Sequence, residues 1–123
     1  MEKFILLWML FMHIVDDYYL QGWLAKGKQK SWWESQPNFN PKYRYDYIAA
    51  LLMHAFSWTF SIMLPLVIYN KLYISNLYMF IFICNLVIHA IADDLKANKL
   101  KTNLVQDQAI HIAQVIITYI IMV

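Results

Sequence analysis

Apolar residues gather in four blocks, at about residues 4–25, 47–69, 72–95 and 103–123, with short polar stretches between them. Each block is about as long as a helix needs to be to cross the ~30 Å hydrocarbon layer of a bilayer, so the pattern predicts four membrane-spanning helices. Polar residues inside the blocks are few and regularly placed. His13 and Asp17, His89 and Asp93, and Asp107 and His111 each stand four residues apart, a spacing that stacks two side chains on one face of a helix. His54 lies in the second block, so all four histidines of the chain fall in predicted spans. Ionisable groups at membrane depth are costly, and their presence points to a buried polar site.

Charge follows the same division. The first connection, KGKQKSWWESQPNFNPKYRYD, carries Lys26, Lys28, Lys30, Lys42 and Arg44, the third carries Lys96, Lys99 and Lys101, and the second has only Lys71. The positive-inside rule then places connections one and three in the cytoplasm and both termini outside. With that topology Asp17, Gln21, His54, His89, Asp93 and Asp107 all fall in the cytoplasmic halves of their spans, with His13 and His111 nearer the midplane. Such agreement in depth is what one cavity opening to the cytoplasm requires. Trp32, Trp33, Tyr43, Tyr45 and Tyr47 predict that the long first connection lies along the headgroups. Pro37 and Pro41 argue against a continuous helix there, and Pro65 predicts a kink near the outer side of span two.

Composition adds the class. Of 123 residues, 61% are hydrophobic and only two are glycine, which fits a single transmembrane domain over residues 1–123, an all-α four-helix bundle in the inner (cytoplasmic) membrane. Cys84 has no partner, which excludes an intrachain disulfide and a cysteine zinc site and leaves it a packing role. The opening MEKFILLWMLFM has the charge and apolar core of a signal peptide, but no small-residue cleavage site follows, and it is read as a retained span. HIVDDYYLQ in span one echoes HAIADDLKA in span three, as two hairpins related by an axis along the membrane normal would.

Imidazole and carboxylate are ligands for divalent metals, zinc first, with manganese and iron as alternatives, and facing helices of a bundle are a known way to assemble them. The candidate ligands are His13, Asp17, His54, His89, Asp93, Asp107 and His111, with Asp17, Asp93 and Asp107 also candidates for the catalytic base. Asp16 and Asp94, one position off those faces, and Gln21 and Gln108 fit supporting positions. The same histidines could instead hydrogen-bond between helices. Lys96, close to the boundary, is expected to snorkel to lipid phosphates.

With a metal, the chemistry expected is activation of water against an ester or phosphoester near a lipid headgroup. Ser57 and Ser61 lack the context of a nucleophilic triad. Membrane lipids are the expected partners, with a homo-oligomer as a further possibility; the basic residues follow membrane orientation and do not suggest nucleic acid. Proton or cation transport uses the same residue types, and a binding or regulatory membrane protein would use them only to fix helix packing. Haem is a further option, made less attractive by the neighbouring aspartates.

HIVDDYYLQGWLAKGK, LLMHAFS, IHAIADDLK and VQDQAIHIA, in that order, resemble the motifs of small bacterial and phage membrane proteins of domain-of-unknown-function family 3307. The likeness covers all four spans, and the DQxxH element is its most specific part. It implies a four-helix integral membrane fold and places His13, Asp17, Gln21, His54, His89, Asp93, Asp107, Gln108 and His111 on the family's recurrent polar positions. Members often carry a second histidine soon after the one in span two, where this chain has Ser57 and Trp58. The resemblance implies no activity; a looser similarity to proteins described as metal-dependent hydrolases of the inner membrane favours hydrolysis by analogy of fold alone.

Overall fold

The computed structural model describes residues 1–123 and is entirely helical. Helix α1 (Glu2–Ile14) runs directly into a π-helical segment, Val15–Leu20. Two short helices, α2 (Leu24–Gly27) and α3 (Lys30–Glu34), and a 3-10 turn at Pro41–Tyr43 lead into α4 (Asp46–Tyr69), α5 (Asn76–Ala97) and α6 (Leu104–Met122). Helices α4, α5 and α6 are long and apolar enough to cross a membrane. Neighbouring elements close a ring: α1 packs on α4 and α6, and α5 joins α4 to α6.

The ring is polar within and apolar without. Thirteen of the 27 buried residues are polar or charged, whereas Phe4, Phe11, Met53, Phe80, Ile91 and Ile120 are exposed. A water-soluble domain would reverse that arrangement, and a bundle surrounded by lipid tails would not. Along its axis the interior divides again. Ile5, Met9, Ile62, Met63, Leu66 and Val115 pack together towards the end that carries both termini, and the histidines and aspartates gather towards the end that carries the basic connections.

Local chemistry explains where the elements stop. Gly22 has φ +53°, a conformation that suits glycine, and it turns the chain after Leu20, so the first helical stretch ends earlier than the apolar run to residue 25 predicts. Lys71 and Leu72 also take positive φ, and the Ser75 side chain caps α5 by accepting from the Tyr78 amide, so that helix begins at Asn76 rather than near residue 72. Asn103 and Gln106 form a reciprocal capping box that starts α6. Pro65 lies inside α4 without ending it.

The first connection is folded rather than extended. Trp23, Trp32 and Trp33 meet edge to face, and the Trp33 indole donates to the Gly27 carbonyl at 2.7 Å. A Cβ at Gly27 would sit 2.8 Å from the Trp23 ring, so only glycine allows this approach. Next in the chain is Lys28. Asn98 at the end of α5 holds it in place by donating to the Lys28 carbonyl at 3.0 Å and accepting from the Lys30 amide at 2.7 Å.

Candidate metal centre

Four ring and carboxylate atoms converge from three elements. His54 Nε2 of α4 lies 3.2 Å from His89 Nε2 of α5, 3.2 Å from Asp17 Oδ1 of the π segment and 3.3 Å from Asp93 Oδ2 of α5. His89 Nε2 lies 3.9 Å from Asp17 Oδ1 and 3.8 Å from Asp93 Oδ2. Ligands at about 2.0–2.1 Å from a tetrahedral ion are separated by about 3.3 Å, so the three contacts of His54 Nε2 are at the spacing of a zinc ligand set, and those of His89 Nε2 to the carboxylates are somewhat longer. Trp58 stacks on His89 with its ring centroid 4.1 Å away and separates this centre from the apolar end.

Proton accounting supports a cation. A neutral imidazole has one N–H and one lone pair. His54 and His89 are fully buried, and the Nδ1 atom of each has no hydrogen-bond partner. A hydrogen on His54 Nε2 can serve only one of the two carboxylates beside it and leaves Nδ1 unserved, 3.7 Å from the equally unpartnered Asp16 Oδ1; a hydrogen on Nδ1 leaves Nε2 as a bare lone pair turned towards both carboxylates. Charge leads to the same place. Among Asp16, Asp17, Asp93 and Asp107, only Asp93 and Asp107 have an ammonium partner, Lys28 and Lys96 respectively. With neutral imidazoles the pocket carries two negative charges in excess, which one divalent ion would balance.

The surrounding groups hold the donors in place. Asp16 sits beside His54 with Oδ2 accepting from Ser57 Oγ at 2.6 Å and Ser61 Oγ at 3.0 Å. Consecutive aspartates therefore flank the two nitrogens of one ring, an arrangement delivered by the widened π turn, a feature frequent at functional sites. Gln108 donates to Asp17 Oδ2 at 3.2 Å and to Asp107 Oδ2 at 3.3 Å. Gln21 donates to the Asp17 carbonyl at 2.9 Å and so caps the π segment. Asp94 lies outside the cluster, paired with Asn98 at 2.7 Å and Lys99 at 3.6 Å.

His13, a predicted ligand, does not join the convergent atoms. Its Nδ1 accepts from the Trp58 indole at 2.9 Å and its Nε2 donates to Gln108 Oε1 at 3.0 Å, so both nitrogens are already used. His111 and Asp107 stand to one side: His111 Nε2 lies 3.2 Å from Asp93 Oδ1 and 3.3 Å from Asp107 Oδ1. Lys96 does not extend towards lipid as expected; its ammonium turns inward to Asp107 Oδ2 at 2.9 Å, a buried carboxylate that would otherwise lack a counterion. Lys28, which sequence reasoning did not single out, donates to Asp93 Oδ2 at 2.7 Å. Nothing in its local sequence separates it from the other lysines of that connection. A cavity of about 190 Å³ opens beside these groups, lined by Asp17, Lys28, Asp93, Lys96, Asp107 and Gln108 among others.

Comparison with family models, curated proteins and solved structures gives no match. What is established is a helical protein with three helices fit to cross a membrane and a buried group of histidines and aspartates able to hold a metal ion.

Proposed function

We propose that the protein is a multi-pass membrane hydrolase that uses a divalent metal, zinc first, at the cytoplasmic side of the inner membrane. In this reading α1 and the π segment form a fourth crossing, the basic connections lie in the cytoplasm, and the motif likeness to family 3307 reflects a shared polar site. The observation that carries it is the meeting of His54 Nε2, His89 Nε2, Asp17 Oδ1 and Asp93 Oδ2 at metal-ligand spacing. Those four residues would hold the ion. When bound, it would supply Lewis-acid activation of water and of the bond to be cleaved.

The residues of the chain account for the remaining work. Asp17 would ligate through Oδ1 and take a proton from water on Oδ2, which Gln108 holds towards the cavity. Lys28 and Lys96 place two ammonium groups on the cavity wall, where they suit the anionic oxygens of a phosphoester or lipid headgroup. Tyr18 and Leu104 line the same cavity and are exposed on the outside of the bundle, which offers an apolar flank to a lipid-like substrate. The closed apolar packing of Ile5, Met9, Ile62, Met63, Leu66 and Val115 favours a one-sided site over an ion pathway.

The test uses the full chain in detergent, loaded with zinc or manganese and given phospholipid and phosphodiester substrates. Cleavage that disappears on chelation, returns with metal, and is lost in Asp17→Asn is the expected result. A metal-loaded protein that cleaves no ester or phosphoester would overturn the hydrolase reading.

A further inference from the structure

We propose that the pocket holds two divalent cations bridged by the Asp93 carboxylate, and that the pair binds a phosphate group. This rests on the metal-dependent reading of the site and extends it.

Asp93 presents its two oxygens to two different places. Oδ2 faces His54 and His89, while Oδ1 lies 3.2 Å from His111 Nε2. His111 Nε2 is in turn 3.3 Å from Asp107 Oδ1. His111 Nε2, Asp93 Oδ1 and Asp107 Oδ1 therefore form a second donor set beside the first. His89, Asp93 and His111 offer ligand atoms within 4.8 Å of one another, so the two positions are close enough to share a carboxylate. Paired catalytic metals stand about 3.5–4 Å apart.

Two independent features point to a cation at the second position. Asp107 is 1% exposed, yet its Oδ1 has no hydrogen-bond partner, while Oδ2 takes both Lys96 and Gln108. The tautomer of His111 is also set from behind. Gln114 donates its amide to the Asn85 carbonyl at 3.1 Å and to Asn85 Oδ1 at 3.2 Å, which turns its own Oε1 towards His111 Nδ1 at 3.3 Å. Nδ1 must then carry the hydrogen, so Nε2 meets the two carboxylate oxygens either as the N–H of an imidazolium or, with a cation between them, as a ligand lone pair. Metal-ligating histidines are commonly held in this way through the far nitrogen.

The two positions differ in their number of donors. The first has four protein donors and the second three, and both adjoin the cavity, through Asp17 and Asp93 for the first and Asp93 and Asp107 for the second. Three protein donors leave the second ion a position free for water or a ligand oxygen, while the first ion would take one only as a fifth ligand. Charge then selects the ligand class. One divalent ion balances the excess of two carboxylates, and a second leaves the pocket two positive charges in excess, which suits a phosphate dianion. A cavity of about 190 Å³ has room for that group.

The experiment is metal titration of the stripped full chain in detergent, read by elemental analysis and by electron paramagnetic resonance of the manganese form. The expected result is two ions per wild-type chain with an exchange-coupled manganese signal. Asp107→Asn and His111→Ala should each retain one ion and give the signal of an isolated manganese. Inorganic phosphate should tighten the second wild-type equivalent about tenfold and have no such effect in Asp107→Asn. One ion per wild-type chain at saturation would overturn the pair and leave the single-metal reading intact. No ion at all would end both. Two ions without exchange coupling would place the second elsewhere and refute the bridge, and a phosphate-insensitive second ion would refute the ligand class. The wild-type measurement decides the pair even if a variant fails to fold.

Discussion

His89 and Asp93 leave α5 on one face of a regular helix and reach the same centre, whereas of His13 and Asp17, still 3.8 Å apart, only Asp17 reaches it. Asp17 enters the centre from the π segment, and His13 is held between Trp58 and Gln108 one layer away. Their neighbours differ too: Asp16 is buried against His54 and two serines, while the second aspartate of the other pair, Asp94, is spent on Asn98 and Lys99 at the rim. The same four-residue spacing thus yields two ligands on α5 and one ligand with a supporting carboxylate on the π segment. Spacing places side chains on a shared face only while the helix keeps its regular turn.

Substitutions separate the two pairs. The largest effect is expected from His89→Ala and Asp93→Asn, which should lower metal affinity by more than about 100-fold, the upper end of what an outer partner is worth. Calorimetric titration with zinc checks this. Next comes Asp16→Asn, which leaves the ligands in place but weakens the hold on His54, and should cost about 10–100-fold in affinity by the same measurement. His13→Leu should keep zinc affinity within a few-fold. It should lower stability by about 1–3 kcal/mol, seen in thermal unfolding in detergent, because the buried Trp58 N–H loses its acceptor. The smallest effect is expected from Asp94→Asn, within about 0.5 kcal/mol and without change in metal binding. Equal losses in His13→Leu and His89→Ala would erase the distinction between the pairs.

Much of this arrangement is legible in the sequence because lipid makes polar residues conspicuous. The apolar runs of α4, α5 and α6 locate the long helices, and His54, His89, Asp93, Asp107 and His111 stand out within them. The π turn has no comparable signature, so the inward placement of Asp16 beside Asp17 is not readable from spacing. The ends of helices escaped for a similar reason: hydrophobicity continues past Leu20, and the break at Gly22 is a matter of backbone conformation. Lys28 reaches Asp93 from a connection 65 residues earlier in the chain, a tertiary contact that no local pattern encodes. Ser57 and Ser61 suggest in the sequence only a nucleophile without a triad, whereas in the fold their hydroxyls hold Asp16.

The most direct test of the central claim is zinc K-edge absorption spectroscopy of protein carrying one equivalent of zinc. The account predicts four nitrogen and oxygen ligands at about 2.0–2.1 Å, two of them imidazole. The spectrum should be unchanged in His13→Leu and should lose imidazole scattering in His89→Ala. A zinc shell of water alone, or one that loses imidazole in His13→Leu and keeps it in His89→Ala, would contradict it.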